Sequence, residues 1–224
     1  LLTARLDARL GRLTLANAGH TETLWWQQEE GTFQVLPATG LPVGIFADAT
    51  VPDETIVLRP GDAVVGYSDG ITEAANESDE LFGLERLKAV VSANAHLSAQ
   101  DLADSIVETI ETFRAGAPLS DDVTLIVLKA LPRTVSFTYP ASLDRLREVI
   151  ALIQQSALAY GDDFAYQVEL VASEIISNTI EHAYGDSAGE LRGQITLLPH
   201  QIQLDLYEDG APFDLSQVLV GEEN

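Results

Sequence analysis

Residues 59–70 have the sequence RPGDAVVGYSDG, in which a turn, a buried strand and an acidic turn follow one another. The Pro-Gly pair is typical of a turn, and the apolar run at 63–67 predicts a strand that is covered on both faces. Asp69 comes directly after that strand. Later in the chain, Asp121 precedes a second apolar strand, which we predict at 123–128. Each of the two strands therefore has an acid at one end.

Acids at the ends of buried strands have two interpretations. Carboxylates that are held rigidly in this way bind hard cations such as Mg²⁺ or Mn²⁺, which prefer oxygen ligands. Asp-Gly, as in Asp69-Gly70, is also a preferred dipeptide of tight turns, and Asp121-Asp122 is compatible with a turn as well. The spacing alone favours two turns, and both interpretations stay open at this point.

The composition argues against several classes of protein. The chain has 224 residues and a net charge of −23, from 35 acidic and 12 basic residues. Binding to nucleic acid or to an anionic membrane is disfavoured, because phosphates need Lys and Arg to displace their counterions. Cysteine is absent, which excludes disulfides, thiolate metal sites and a cysteine nucleophile.

The first residues of the chain and the length of its apolar runs are used to predict its cellular location. No apolar run approaches the roughly 20 residues that span a bilayer. Residues 1–5 lack the pattern of a secretory signal. We therefore expect a cytoplasmic protein. Methionine is absent, including at position 1, so we expect a processed product, an excised piece or a fragment of a longer protein.

The pattern of apolar residues predicts two α+β domains. Alternation through residues 12–36 indicates an antiparallel meander of short strands, and we expect helices at 83–95 and 98–114. The pattern restarts after a Leu-Pro-Arg break, which separates a domain 1–131 from a domain 132–224. The strand, two helices and two strands predicted for the second domain lie at 134–139, 143–160, 163–184, 194–198 and 201–207.

The helix predicted at 163–184 has an apolar stripe that we expect to face a core. The members of this stripe are Phe164, Val168, Val171, Ile175 and Thr179. Glu174 and Asn178 are one helical turn apart and lie along its flank. A carboxylate beside an amide oxygen supplies a general base and a ligand for nucleotide-bound Mg²⁺, the pair that phosphoryl transfer needs. The alternative is a solvated flank without function, which the residues alone favour.

Glu208, Asp209 and Gly210 follow the last predicted strand. A turn is the simplest interpretation of this triplet. The functional interpretation is an acid that accepts a hydrogen bond from the amino group of a base, with Gly210 allowing a ligand to approach the backbone. The chain has neither a Gly-x-Gly-x-x-Gly motif nor a Walker phosphate loop, so an ordinary dinucleotide or P-loop site is not supported.

Four stretches in the first domain together resemble PPM-type, metal-dependent Ser/Thr protein phosphatases. The stretches are LTLANAGHTETLWW (13–26), LPVGIF (41–46), LRPGDAVVGYSDGITEAANESDELFGLERL (58–87) and DDVTLIVL (121–128). They resemble the C-terminal half of these enzymes, in the bacterial branch that acts in sigma-factor partner switching. The resemblance implies a β-sandwich flanked by helices. It also implies that Asp69, with its neighbour Gly70, and Asp121 belong to the metal site, and that Glu73 takes the place of an accessory acid.

The second domain resembles the anti-sigma-factor serine kinases of the Bergerat-fold ATPase superfamily. Residues 168–186, VELVASEIISNTIEHAYGD, match the first motif of that family. The resemblance implies a two-layer α/β sandwich in which Glu174 is the catalytic base. It implies that Asn178 holds the Mg²⁺ of the bound nucleotide.

The second kinase motif, Asp-x-Gly followed by Pro-Phe-Asp, aligns with residues 208–214. The alignment places Glu208, instead of an Asp, at the position that reads adenine, with Asp209 and Gly210 beside it in the nucleotide site. Glu is longer than Asp by one methylene. Either the loop adjusts, or Asp209 substitutes, or nucleotide binding is weakened.

Together the resemblances imply a bifunctional regulator of bacterial partner switching. The phosphatase half would use Mn²⁺ or Mg²⁺ to dephosphorylate serine or threonine on an anti-sigma-factor antagonist. The kinase half would use Mg-ATP in the opposite direction. The implied partners are this small antagonist and a sigma factor, and the related kinases form homodimers. The alternative is a kinase-like module that sequesters a sigma factor or the antagonist without turnover.

The N-terminal Gly-Asp-x-x-Asp metal motif and the glycine-rich lid motif of the two families are not found in these residues, which again indicates a fragment.

Overall fold

The computed structural model describes residues 1–8, 10–45, 50–119, 121–184, 189–199 and 201–207. The chain divides into two compact units, Leu1–Pro132 and Arg133–Asn224. None of the helices in the described ranges is both long enough and apolar enough to cross a membrane.

The first unit contains two antiparallel sheets. Its strands are β1 (Leu2–Asp7), β2 (Arg12–Asn17), β3 (Thr23–Gln27), β4 (Thr32–Leu36), β5 (Glu54–Val57), β6 (Ala63–Tyr67) and β7 (Leu125–Lys129). One sheet has the order β1-β2-β5 and the other the order β4-β3-β6-β7. All neighbouring strands run antiparallel.

The meander predicted over residues 12–36 is only partly present. β3 and β4 form a hairpin in which Trp25 lies opposite Gln34. β2 instead pairs with β1 and β5, because the chain changes sheets between Asn17 and Thr23. Alternation of apolar residues gives each strand a buried face, but it does not specify which sheet the strand joins.

The two sheets form a sandwich that is flanked by helices on one side. Six buried residues from both sheets cluster together: Leu13, Leu15, Leu36, Ile56, Leu58 and Val64. The other face of the second sheet packs with helices α2 (Gly83–Asn94) and α3 (Ala99–Arg114). Its main contacts are Leu24, Val65, Tyr67, Phe82, Leu87, Val91, Leu102 and Ile106. β6 is therefore covered on both faces, as predicted.

The ends of α3 follow from local signals in the sequence. The Ser98 hydroxyl accepts a hydrogen bond from the backbone N–H of Asp101 (3.1 Å), which satisfies a donor at the helix start. The helix ends at Arg114 and is capped by Ala115, whose φ of 50° is left-handed, followed by Gly116 with a φ of 96°. Burial of Leu102, Ile106 and Ile110 on one side fixes the helix against the sheet.

The second unit has one sheet and one helical layer. Its strands are β8 (Arg133–Pro140), β9 (Glu190–Leu198) and β10 (Gln201–Tyr207), in the antiparallel order β10-β9-β8. Helix α4 (Leu143–Ala157) contacts β8 and β9 and packs against α5 (Asp162–Thr179). Both units mix helices with sheets, which confirms the predicted α+β class.

Both helices of the second unit end earlier than predicted. α4 passes into a 3-10 turn, Leu158–Tyr160, and Gly161, with a φ of 104°, then redirects the chain into α5. α5 gives way to a π-helical turn, Ile180–Tyr184. The apolar pattern continues through both turns, so the sequence did not reveal the change of helix type.

Candidate functional sites

The two acidic motifs of the first unit lie at the same edge of the second sheet. β6 and β7 are antiparallel, with Tyr67 opposite Leu125. The end of β6 therefore lies beside the start of β7, and segments 68–70 and 121–124 are neighbours. A short helix, α1 (Asp69–Thr72), begins at the first acid.

Ser68 joins the two segments by three hydrogen bonds. Its backbone N–H donates to the carbonyl oxygen of Thr124 (3.0 Å), and its hydroxyl donates to the carbonyl oxygen of Asp122 (2.9 Å). Its Oγ also accepts from the backbone N–H of Thr124 (2.8 Å). We call these three bonds the Ser68 clasp. The clasp holds the backbone next to one acid against the backbone next to the other.

Gly70 is buried against the backbone of the opposite segment. A Cβ atom here would lie 2.5 Å from the carbonyl oxygen of Asp122 and 3.3 Å from that of Asp121. A side chain does not fit at the first of these distances, so the approach of the two backbones requires glycine. The Asp-Gly pair is thus explained by a long-range contact, and it opens the short helix α1 instead of forming a tight turn.

Asp69 and Asp121 are both exposed at this edge. Oδ1 of Asp69 accepts from the N–H of Gly70 (3.1 Å), and Oδ1 of Asp121 accepts from the N–H of Asp122 (2.7 Å). The second oxygen of each carboxylate bonds to no described residue, so it is available to a cation. Across the described ranges, no group of three or more His, Asp or Glu side chains could hold a metal ion. Two carboxylates supply only part of the ligand set of a hard cation, and the role of Asp69 and Asp121 as ligands stays a prediction.

Glu73 and Asp122 lie next to these acids but differ in what they do. The backbone N–H of Glu73 donates to the carbonyl oxygen of Asp69 (2.8 Å), which places Glu73 one turn from the first acid with its side chain exposed. Asp122 contributes its carbonyl oxygen to the Ser68 clasp, and its side chain is exposed.

A third loop, residues 18–22, reaches the same edge and was missed as a site element in the sequence. Asn17 is buried and fixes this loop: its Oδ1 accepts from the N–H of His20 (2.8 Å) and its Nδ2 donates to the carbonyl oxygen of Thr21 (2.9 Å). The Thr21 hydroxyl donates to the carbonyl oxygen of Tyr67, the last residue of β6. A buried asparagine at the end of an alternating strand is the signal that could have indicated this loop.

The phenol of Tyr67 fastens the same loop from its other side. It donates to Oε1 of Glu22 (2.9 Å). Burial, together with this bond to a carboxylate, raises the pKa of Tyr67 above its usual range. The hydroxyl therefore stays protonated and remains a donor.

In the second unit, Glu174 and Asn178 lie on adjacent turns of α5, and both are exposed. The π-helical turn begins two residues after Asn178, where the N–H of Ile180 points at the carbonyl oxygens of Ile176 and Ser177. Both candidate residues are thus carried by regular helix, just before the helix widens.

The predicted core-facing stripe of this helix is wrong. Phe164, Val171 and Ile175 are 37%, 57% and 46% exposed. The residues that α5 buries are instead Ala165, Ala172 and Ile176. Sequence reasoning gave weight to the larger side chains, whereas the structure packs α5 through a face that contains two alanines.

The exposed stripe lines a groove between α5 and β10 with a volume of about 310 Å³. Its apolar walls include Phe164, Val168, Val171, Ile175, Ile202 and Leu204. On a helix, residues three apart are neighbours, so Asn178 lies next to Ile175 and Glu174 next to Val171. The two polar candidates therefore border an apolar groove.

Glu208, Asp209 and Gly210 lie outside the described residues. β10 ends at Tyr207, directly before them. Their proposed part in reading adenine stays a prediction.

Several solved structures resemble the chain, and two of them illustrate the likeness. The RsbU and RsbW domains of Rv1364c from Mycobacterium tuberculosis align with 92% of this chain and 58% of that one, at 24% identity and a TM-score of 0.47. The phosphatase domain of the cell fate determinant SpoIIE from Bacillus subtilis (Mn presoaked) aligns with 58% of this chain and 56% of that one, at 18% identity and a TM-score of 0.45.

Curated relatives match the first unit. Protein IcfG of Synechocystis sp. (strain ATCC 27184 / PCC 6803 / Kazusa) is 32% identical over 123 residues, which are 55% of this chain and 19% of IcfG. Phosphoserine phosphatase RsbU of Bacillus subtilis (strain 168) is 34% identical over 120 residues, which are 53% of this chain and 35% of RsbU. The chain thus covers a minor part of either relative.

Family models match both units and confirm the two resemblances. The model of the Histidine kinase-like ATPase domain matches residues 138–224. The model of Stage II sporulation protein E (SpoIIE) matches residues 1–131, more than half of the 224 residues. The protein therefore belongs to the SpoIIE family.

Proposed function

We propose that the first unit is part of a metal-dependent phosphatase that acts on phosphoserine or phosphothreonine of an anti-sigma-factor antagonist. The observation that carries this proposal is the Ser68 clasp, which holds segments 68–70 and 121–124 together. Asp69 and Asp121, the acids of these two segments, each have one carboxylate oxygen without a hydrogen bond to a described residue. Membership of the SpoIIE family and the similarity to Phosphoserine phosphatase RsbU support it.

Bound Mn²⁺ or Mg²⁺ would supply an activated water and neutralise phosphoryl oxygens. In this chain, Asp69 and Asp121 would hold the cations, and the Ser68 clasp would keep the backbones of the two acids close together. Gly70 would complete the metal site by letting the two backbones meet. Glu73, one turn from Asp69, would act as an accessory acid.

The test is phosphate release from a phosphorylated antagonist in the presence of Mn²⁺. The protein is used with any sequence that its gene encodes before Leu1 and after Asn224. We expect Asp69→Asn and Asp121→Asn each to lower kcat/KM by more than about 100-fold, since metal-ion stabilisation is worth several kcal/mol. Asp122→Asn is the matched control, because its side chain is exposed and only its carbonyl serves the clasp. Activity that persists in either test variant would contradict the ligand assignment.

We infer that the second unit binds Mg-ATP and phosphorylates a serine on the same antagonist. Asn178 would hold the metal, Glu174 would accept the serine proton, and Glu208, Asp209 and Gly210 would read adenine. The groove beside Glu174 and Asn178 supports this inference, because an apolar slot of about 310 Å³ is at the lower end of the size range of small-molecule sites.

Isothermal titration with Mg-ATP tests the second unit. We expect Asn178→Ala to abolish binding, and Glu174→Gln to retain binding while serine phosphorylation is lost. Glu181→Gln is the control, since that carboxylate is also exposed and lies on the π-helical turn. Loss of ATP binding in the control variant, or phosphorylation by Glu174→Gln, would count against these roles.

A kinase-like binding module is the second candidate, and Glu208 in place of Asp is the observation that favours it. Such a module would bind a sigma factor or the antagonist without ATP. In that case titration shows partner binding but no nucleotide binding. We also propose that the protein is a cytoplasmic regulator with domains 1–131 and 132–224, and that its kinase-like domain forms a homodimer.

A further inference from the structure

The loop at residues 18–22 and the acidic loop at 121–124 flank the same strand end. In the sheet order β4-β3-β6-β7, β6 has β3 on one side and β7 on the other. Both neighbours run antiparallel to β6, so the loops that precede β3 and β7 lie beside its last residue, Tyr67. Neighbouring strands are about 4.8 Å apart, so the two loops are separated by about 10 Å. Ser68 and Asp69 continue from the strand between them.

His20 lies in the 18–22 loop, and both its backbone and one of its ring nitrogens are held by hydrogen bonds. Its backbone N–H is held by Asn17, as described above. Its Nδ1 lies 3.0 Å from the Thr21 hydroxyl oxygen and 3.4 Å from the Thr21 carbonyl oxygen. The preceding residue, Gly19, packs so closely on Pro42 that a Cβ would lie 2.4 Å from the proline ring. The loop therefore has little freedom to move the imidazole.

The hydrogen bonds determine which nitrogen of His20 carries the proton. A hydroxyl has one hydrogen, and that of Thr21 is donated to the carbonyl oxygen of Tyr67. Thr21 Oγ1 can therefore only accept from His20, so Nδ1 is the donor. Nε2 makes no hydrogen bond to any described residue, and the side chain is half-buried. One nitrogen is thus fixed to the strand that leads to Asp69, and the other is unused.

We propose that His20 is a substrate-contacting residue of the phosphatase site, with Nε2 hydrogen-bonded to a phosphoryl oxygen of the phosphoserine. This inference rests on the phosphatase function proposed above. The Nδ1–H to Thr21 to Tyr67 chain orients the imidazole, so Thr21 is a positioning residue. A phosphoryl oxygen is a strong acceptor, so the contact uses the imidazolium form of His20, in which both ring nitrogens carry a hydrogen: Nδ1 keeps its bond to Thr21 and Nε2 donates to the phosphoryl oxygen. His20 supplies this donor beside an edge that otherwise presents the carboxylates of Asp69 and Asp121.

Two amide substitutions separate substrate contact from a purely structural role. In His20→Asn the amide occupies the place of Nδ1, so the bond to Thr21 can be kept while the group at Nε2 is removed. In His20→Gln the amide nitrogen reaches the place of Nε2 instead. Substrate contact predicts that Gln restores activity better than Asn, and a structural role predicts the opposite order.

The experiment measures kcat and KM with p-nitrophenyl phosphate, and the inhibition constant of inorganic phosphate, in Mn²⁺ with the full chain. We expect His20→Asn to lower kcat/KM about tenfold to a hundredfold and to weaken phosphate inhibition, as for loss of a hydrogen bond to a charged group. His20→Gln should recover part of both. Thr21→Val should give a smaller loss, because it frees the ring without removing it. His96→Asn is the control, since His96 is exposed in the turn between α2 and α3.

Two further measurements do not depend on turnover. Calorimetric Mn²⁺ affinity should be unchanged in His20→Asn and lost in Asp69→Asn. Imidazole nitrogen spectra of the four histidines should show His20 protonated at Nδ1, and phosphate added with Mg²⁺ should shift Nε2 of His20 and leave His96 unmoved. If the wild type is inactive with Mn²⁺, the proposed phosphatase is wrong and this inference falls with it. If the wild type is active and Asp69→Asn is not, normal kinetics in His20→Asn overturns the His20 contact alone.

Discussion

The acidic edge of the first unit and the polar flank of α5 in the second unit hold their candidate residues by different means. Asp69 and Asp121 come from distant parts of the chain and are brought together by backbone contacts, through the Ser68 clasp and Gly70. Glu174 and Asn178 need only the regular spacing of one helix. The first arrangement depends on tertiary packing at the site itself, whereas the second depends on packing on another face of the helix. Substitutions that disturb backbone contact and those that disturb the helix core should therefore act differently.

The largest effect should come from the face of α5 that enters the core. Ile176 is fully buried and Ile175 is 46% exposed in the groove. We expect Ile176→Ala to lower the free energy of unfolding of the second unit by about 3 kcal/mol, because it leaves a cavity. Ile175→Ala should cost less than about 1 kcal/mol but should weaken Mg-ATP binding. The unfolding free energy of both variants is measured by urea titration, with backbone hydrogen exchange as the signal for the second unit. Equal losses of unfolding free energy in Ile175→Ala and Ile176→Ala would mean that Ile175 is packed as tightly as Ile176.

Gly70 provides the next test, on the backbone contact of the first unit. Gly70→Ala should destabilise that unit by about 2 to 3 kcal/mol, as for overpacking against an atom that cannot move freely. It should also abolish phosphatase activity by separating the two acids. The fluorescence of Trp25 and Trp26 reports unfolding of this unit. Gly66→Ala is the matched control: it lies in β6, and its nearest neighbour would be a leucine methyl at an ordinary 3.6 Å. An effect of the control as large as that of Gly70→Ala would contradict the proposed contact.

A smaller effect is expected when the clasp alone is weakened. Ser68→Ala removes the hydroxyl that serves two of the three bonds to Asp122 and Thr124, and it leaves the backbone bond. We expect a loss of about 1 to 2 kcal/mol in unfolding free energy and weaker Mn²⁺ binding by calorimetry. Ser68→Thr, which keeps the hydroxyl, should recover most of the affinity. Unchanged Mn²⁺ affinity in Ser68→Ala would show that the clasp does not position the ligands.

The smallest effect on stability should come from the functional carboxylates themselves. Asp69 and Glu174 are both exposed, so Asp69→Asn and Glu174→Gln should change the unfolding free energy by no more than about 0.5 kcal/mol. Catalysis should be lost in each. Thermal unfolding measures the stability of each variant, and assays of phosphate release and serine phosphorylation measure its activity. Together they show whether activity is lost while stability is kept. A large loss of stability in one variant would indicate a structural role for that acid.

The first acidic site could be anticipated from the sequence in part, because its signals are local. β6 is marked by a continuous apolar run, and Asp69 follows it without a gap. The residue pattern alone could not show that Asp69 and Asp121 share an edge, since that depends on the pairing of β6 with β7; only the family resemblance implied that the two acids belong to one site. Residues 18–22 were missed because their place beside Tyr67 follows from β3 joining the same sheet, while β2 joins the other.

On α5 the spacing of Glu174 and Asn178 followed directly from helical geometry, but the buried face did not. An apolar stripe of large residues has the same period whether it enters a core or lines a groove. The structure buries Ala165 and Ala172, whose small side chains give a weak signal in the sequence. Hydrophobic periodicity identified the helix and misassigned its orientation.

The Ser68 clasp has a consequence for the order of events during synthesis. Its hydroxyl bond to Asp122 spans 54 positions along the chain, and α2 and α3 lie between the two ends. Asp69 therefore leaves the ribosome well before its partner segment exists. Closing so long a loop carries an entropic cost that only the packed helices and paired strands can offset. The two acids meet only after the intervening chain has folded. A formed acidic edge therefore indicates that the helices and strands around it have already packed.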